Sequence, residues 1–139
     1  MQHQLSSEVL FKAGLIVPVT AAANNGAGVD CLGYCRAVVI CYGKPTGSGT
    51  TSDFKVQESS DDGSVDTYAD VTSATTTQLT TVGGEKLYLI EVNLSKRERY
   101  LRVVHTGAGG SAAGAASAII ALFRGAQTAP SQDNTVVSV

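Results

Sequence analysis

The chain has 139 residues, no tryptophan, one methionine, three prolines and two histidines, and only 16% of its residues are charged. Each shortage narrows what the protein can be. Without Trp it lacks the usual flat platform on which sugar-binding modules stack a ring. The two histidines cannot be argued into a pair, because His3 lies in the N-terminal arm and His105 is expected to end a strand, and neither an H-x-x-x-H spacing nor a Ser-His-Asp order supports zinc or nucleophilic chemistry. Ten Lys and Arg against twelve Asp and Glu leave a formal charge of -2 and a pI near 5.6. That is the wrong sign for a general nucleic-acid binder, which needs a basic field to displace counterions. No run approaches the roughly 20 apolar residues of a membrane-spanning helix, so a soluble chain with no membrane partner is expected.

Cysteine is scarce and odd in number: Cys31, Cys35 and Cys41. Buried free thiols in a reducing compartment are the favoured reading. A bridge from Cys31 to Cys35 across the turn at Gly33 is sterically open, but the gap matches neither a CxxC redox pair nor a zinc ribbon. The segment FKAGLIVPVTAAA imitates an export signal, with Lys12 before an apolar run and an Ala-x-Ala end. Glu8 and Pro18 argue against that and for a first strand.

What the chain does contain is strand. With 43% hydrophobic residues it can bury one core and hardly two. DFKVQES alternates Phe54 and Val56 with Lys55 and Gln57, and SSDDGS closes it with a turn. The spacing predicts strands over about Val9 to Val19 and Tyr34 to Tyr42, the latter in the middle of a sheet, with Ala21 to Gly28 as a loop and GKPTGSGTTS as a flexible connection. Tyr68 and Val71 fall in a short strand, and TSATTTQLTTV reads as an irregular or edge strand. KLYLIEVNL is apolar at both parities, Leu87 and Leu89 against Tyr88, Ile90 and Val92, which predicts a strand covered on both faces. SKRER reads as a hairpin connection into YLRVVHT. The fold class predicted is all-β: a two-sheet antiparallel sandwich, jelly-roll-like, with about eight strands. An arm over 1–7, a sandwich domain over 8–125 and a tail over 126–139 complete the organisation.

Four patterns look like sites, and each has a structural reading that is preferred. Gly107, Gly109 and Ala112 follow YLRVVHT in dinucleotide-fingerprint spacing, but the βαβ context and a following acidic residue at the right distance are missing, so a loop between antiparallel strands is expected. Asp61, Asp62, Asp66 and Asp70 could offer oxygens to calcium, yet DDGSVD lacks the EF-hand order, and Asp-Gly suits a hairpin that needs positive φ. Lys96, Arg97, Arg99 and Arg102, interrupted by Glu98, read as a solvated turn and strand edge in preference to a phosphate site. Glu58, Glu85 and Glu91 lie among strands with nothing to say that two carboxylates share a cleft. Asn93 to Ser95 forms a glycosylation triplet, read as accidental. No catalytic residue, metal or cofactor is expected.

FKVQESSDDGSVDTYADV, LYLIEVNLSKRERYLRVV and the Gly/Ala loop leading into ASAIIALFRG together resemble small virion structural proteins of tailed bacteriophages, of the head decoration or cement type. The likeness covers roughly residues 35 to 125. It implies a β-sandwich on the outside of an icosahedral head, bridging subunits of the major capsid protein, made in the bacterial host cytoplasm and assembled as a homo-oligomer with a trimer favoured. The uncharged Gly/Ala/Thr-rich surface suits such a component, because ordering these side chains costs little entropy. Gln2, His3, Gln4 and Leu5 in the arm, and Gln127 and Thr128 in the tail, are the expected capsid or inter-subunit contacts. A neck, tail-tube or fibre-associated protein, or a lectin-like module, is the alternative.

Overall fold

Alternation of buried and exposed residues along ten-residue strands is the organising fact of the structure, a computed structural model describing residues 9–109, 113–124 and 135–138. Eleven strands occur among the described residues: β1 (Val9–Pro18), β2 (Ala23–Asn25), β3 (Val29–Asp30), β4 (Arg36–Pro45), β5 (Thr51–Ser59), β6 (Ala69–Thr75), β7 (Leu79–Thr80), β8 (Lys86–Asn93), β9 (Tyr100–Ala108), β10 (Gly114–Phe123) and β11 (Thr135–Ser138). They form two sheets. Sheet A has the order β1-β10-β4-β8-β11, and sheet B the order β2-β9-β5-β6 with β3 beside β9 and β7 beside β5.

The connectivity is that of a jelly roll. With the short β3, β7 and β11 set aside, the outermost strands pair, β1 with β10; then β2 with β9, β4 with β8, and β5 with β6, all antiparallel. The rolled ribbon closes through β10 with β4 and β5 with β9. The sandwich of about eight strands read from the sequence is thus present, with three short strands added.

Between the sheets lies one core. Tyr88, Ile90, Ile120 and Leu122 enter it from sheet A, and Phe54 and Leu101 from sheet B, all fully buried. Each such side chain contributes about 1.5–3 kcal/mol on leaving water. At the β1 edge, the missing side chain of Gly26 lets its backbone meet the Gly14 carbonyl, beside the bulge between Ala13 and Leu15. This contact draws the β2–β3 strap of sheet B onto the first strand of sheet A.

Several expectations need correction. The central strand runs to Pro45, not Tyr42, because β10 pairs with every residue of β4 and Pro45 is its last, where a missing N–H costs least. The 21–28 loop contains β2, which the long β9 templates. SKRER is no hairpin: β8 and β9 belong to different sheets, so this segment crosses the sandwich. Finally, β8 buries Tyr88, Ile90 and Val92 but leaves Leu87 39% exposed, so its second face is not sealed. Within the expected tail, β11 runs parallel to β8.

Candidate functional site

The outward face of sheet B is a connected polar surface. Pleating turns Phe54 and Val56 inward and leaves Lys55 and Gln57 outward. Register places Arg102 opposite Gln57 and Asp70 on the other side. Arg102 donates from Nε and Nη2 to Gln57 Oε1 at 2.9 and 2.7 Å, Gln57 Nε2 donates to Asp70 at 2.6 Å, and Lys55 Nζ donates to the same carboxylate at 2.9 Å. The Arg102 guanidinium also lies 4.1 Å from the centre of the Tyr68 ring, whose hydroxyl donates to Asp62 at 2.6 Å. Lys55 and Gln57 hold the Asp70 carboxyl below its ordinary value. Burial, and then the Asp62 carboxylate, push the Tyr68 phenol up.

The acidic turn organises its own backbone. Asp61 accepts from the N–H groups of Ser64, Val65 and Asp66, and Asp66 accepts from Ser60 N–H. These bonds, that from Val65 first, lower the Asp61 pKa. Asp62 and Gly63 take φ of 62° and 76°, the positive region that Asp-Gly was expected to supply. Among the described residues no three His, Cys, Asp or Glu side chains form a metal-holding group.

Three of the four cations of the basic cluster are taken up by acceptors. Arg97 meets Glu58 at 3.2 Å, Arg99 meets Asp30 through two bonds of 3.0 and 2.6 Å, and Arg102 meets Gln57. Arg99, with help from the Leu32 N–H, takes the Asp30 carboxyl down to about 2. One pair was not legible in the sequence. Glu98 hydrogen-bonds to Asp66 across the interloop space, which raises the Glu98 pKa and, after the Ser60 N–H, lowers that of Asp66. Glu58 and Glu85 go to separate partners, Glu85 accepting from Tyr42 at 2.9 Å.

His105 was expected at the end of a strand; it lies within β9 and is fully buried. Its Nε2 is 2.9 Å from Ser52 Oγ, its ring packs on Phe54 at 5.1 Å, and its Nδ1 has no partner. Burial lowers its pKa. Ser52 is buried as well, so this Ser-His contact is closed to any substrate. All three cysteines are free, and burial pushes Cys31 up to about 11 and Cys41 up to about 12. Buried in this way, Cys31 and Cys41 are inert, while Cys35 is exposed.

Gly107 is explained by packing: a side chain there would strike the Thr20 carbonyl. Its own N–H donates to Ala22. Gly109 takes φ of 120°, and β10 follows as a strand in the other sheet, so among the described residues no helix N-terminus stands here to hold a phosphate. Ala112 and the expected contacts Gln2, His3, Gln4, Leu5, Gln127 and Thr128 lie outside the described residues.

The outward face of sheet A is different in kind. Phe11, Ile16, Leu87 and Ile119 project from it at 55%, 84%, 39% and 46% exposure. Register sets Ile119 beside Ile40, and Ile40 beside Leu89. Next to this face, on the open side of the sandwich, a groove of about 570 Å³ is lined by Leu10, Ala13, Val29 and Leu32 with Lys12 and Asp30. The sequence signal for the face was the apolarity of KLYLIEVNL at both parities.

This is a jelly-roll module with one polar, internally bonded face and one apolar face. No protein family matches the chain, and no curated protein is similar to it. Solved structures are similar in fold. The PBSX exported protein XepA superposes with a TM-score of 0.57 at 17% identity, over 94% of this chain and 42% of that one. This chain therefore spans less than half of XepA. The SPBc2 prophage-derived protein YomS gives 0.47 at 10% identity, over 83% and 92% of the two chains. VP2 of the infectious bursal disease virus subviral particle gives 0.49 at 13% identity, over 85% and 33%. The likeness to XepA shows a shared fold and nothing finer.

Proposed function

We propose that this protein is a structural component of a bacteriophage virion, and within that class a head decoration or cement protein that bridges subunits of the major capsid protein on the outside of the shell. The observation that carries this reading is a jelly roll that leaves one apolar face exposed on sheet A, while the only Ser-His pair among the described residues is buried and Asp61 and Asp66 are bonded to the backbone of their own turn. Fold likeness to a PBSX protein supports the phage setting. The free thiols support synthesis in the host cytoplasm. The mechanism is passive and non-catalytic. Each copy spreads over a junction and adds contact free energy, and many copies sum by avidity.

The lectin-like reading would use Tyr68, the aromatic beside the DDGS turn, as its platform, and Arg102 already covers that ring. A neck, tail-tube or fibre-associated position is the second reading, and the same experiment separates them. The purified protein is mixed with expanded heads and, separately, with tails from the same phage, and each is sedimented. Co-sedimentation with heads and a higher shell melting temperature is expected. Binding to tails alone moves the assignment to the second reading, and binding to neither overturns both. Within the head reading, removing residues 1–7, which include Gln2 to Leu5, is expected to weaken head binding at least tenfold. The melting temperature of the isolated protein should stay within about 2 °C, as for a terminus that adds little to the core.

A further inference from the structure

We infer that the outward face of sheet A is a self-association surface, on which a second copy of this chain docks face to face about a two-fold axis. The inference goes beyond the virion reading and does not depend on it. Of the seven large hydrophobic side chains exposed among the described residues, four (Phe11, Ile16, Leu87 and Ile119) stand on this one face, while Leu32, Val65 and Val82 are scattered over loops. Strands that are apolar at both parities are covered on both sides in stable folds. Here β8 and β10 are apolar at both parities, yet among the described residues the outward side of each leaves a large apolar side chain exposed, Leu87 at 39% and Ile119 at 46%. The missing cover is supplied from outside.

Area and charge select a second copy as the occupant. Strands β1, β10, β4 and β8 have 10, 10, 10 and 8 residues. At about 4.8 Å between strands and about 3.3 Å per residue, the face measures about 19 by 30 Å, so a face-to-face pair covers about 1,100 Å² in total. That clears the roughly 1,000 Å² expected of a specific interface. The face is also electrically neutral toward itself. Arg36 and Glu91 stand near one end by register, and the Lys44–Glu85 ion pair of 3.3 Å occupies the other. An isologous pairing that brings opposite ends together therefore meets no excess of like charge. Ala13, Ser117 and Ala121 between the large side chains let two sheets approach with little side-chain entropy lost.

A two-fold pairing makes a dimer, not the trimer that the family resemblance implies. The test is sedimentation equilibrium of the full chain with reductant present, at 1–100 μM, beside Ile16→Asp, Ile119→Asp and a control, Val82→Asp, on the Thr81–Gly83 turn. The wild type and the control are expected to be dimeric. Each face variant should weaken the dimer at least 100-fold while keeping the far-ultraviolet spectrum and melting temperature of the monomer. Deuterium exchange should slow on concentration in β1 and β10 and not in β5. A monomeric wild type overturns the inference, and so does a trimer or a dimer indifferent to both face variants. A monomer whose exchange in β1 and β10 is already slow means that residues 125–134 of the same chain cover the face, and overturns it as well.

Discussion

The two outward faces of this sandwich are built from the same pleat and have opposite chemistry. Sheet B turns out Lys55, Gln57, Asp70 and Arg102, each bonded to a neighbour, so the face satisfies its own polar groups and needs no partner. Sheet A turns out Phe11, Ile16 and Ile119 and leaves them exposed. A face that is finished within one chain reads as solvent-facing; a face that is unfinished reads as an interface. The comparison assigns a direction to the molecule.

Four measurements can break or sharpen that comparison, and the largest effects fall where the faces are equivalent. Inward residues belong to one core whichever sheet they come from, so Phe54→Ala is expected to cost about 3–5 kcal/mol and Ile90→Ala about 2–5 kcal/mol in denaturant unfolding. A much smaller loss for either would mean that its sheet is not packed as described. On the sheet B face, Arg102→Ala removes two bonds to Gln57 and the stack on Tyr68. It should cost about 1–2 kcal/mol, shrinking in high salt only slightly because Gln57 is neutral.

Acid should act through sheet B and its flanking loops. His105 carries a lowered pKa, so the unfolded chain binds its proton first as pH falls below 6.5. Stability is therefore full above that value and declines below it. Replacing His105 by Phe should flatten this limb of the curve. A second decline is expected as pH falls through about 3.8 toward 2, where Asp30 loses Arg99, with Asp61, Asp66 and Asp70 acting in the same direction. Glu98 has the opposite sign. Its raised pKa adds stability at low pH that disappears as pH rises through the folded value. Thermal melts from pH 2 to 8 read all three. The smallest effect concerns Tyr88, whose hydroxyl is buried in the core without a partner. Tyr88→Phe should be neutral or stabilising by up to about 1 kcal/mol, since it removes an unsatisfied group and keeps the ring.

How much of this was legible varied with how local the signal is. Phe54 and Val56 facing in, with Lys55 and Gln57 facing out, followed from alternation alone. So did the Asp62–Gly63 turn, because positive φ is a property of two adjacent residues. The SKRER segment was misread because charge and shortness suit a hairpin equally well as a crossing between sheets. Only the rolled topology separates β8 from β9. The apolar second face of β8 is legible in the sequence but its exposure is not, since a sequence records that a residue is apolar and not what lies above it.

By itself the sequence determined the long strands, their inward sides and the main turn, because the pleat fixes side-chain direction every second residue within a strand. Tertiary structure alone decided which strands are neighbours. It brought Arg102 to Gln57 and Glu98 to Asp66, buried the Ser52–His105 contact, and assembled Phe11 and Ile119 from opposite ends of the chain into one face. The reason is physical: strand direction is a local steric property, whereas pairing depends on register between segments that the chain holds far apart until it folds.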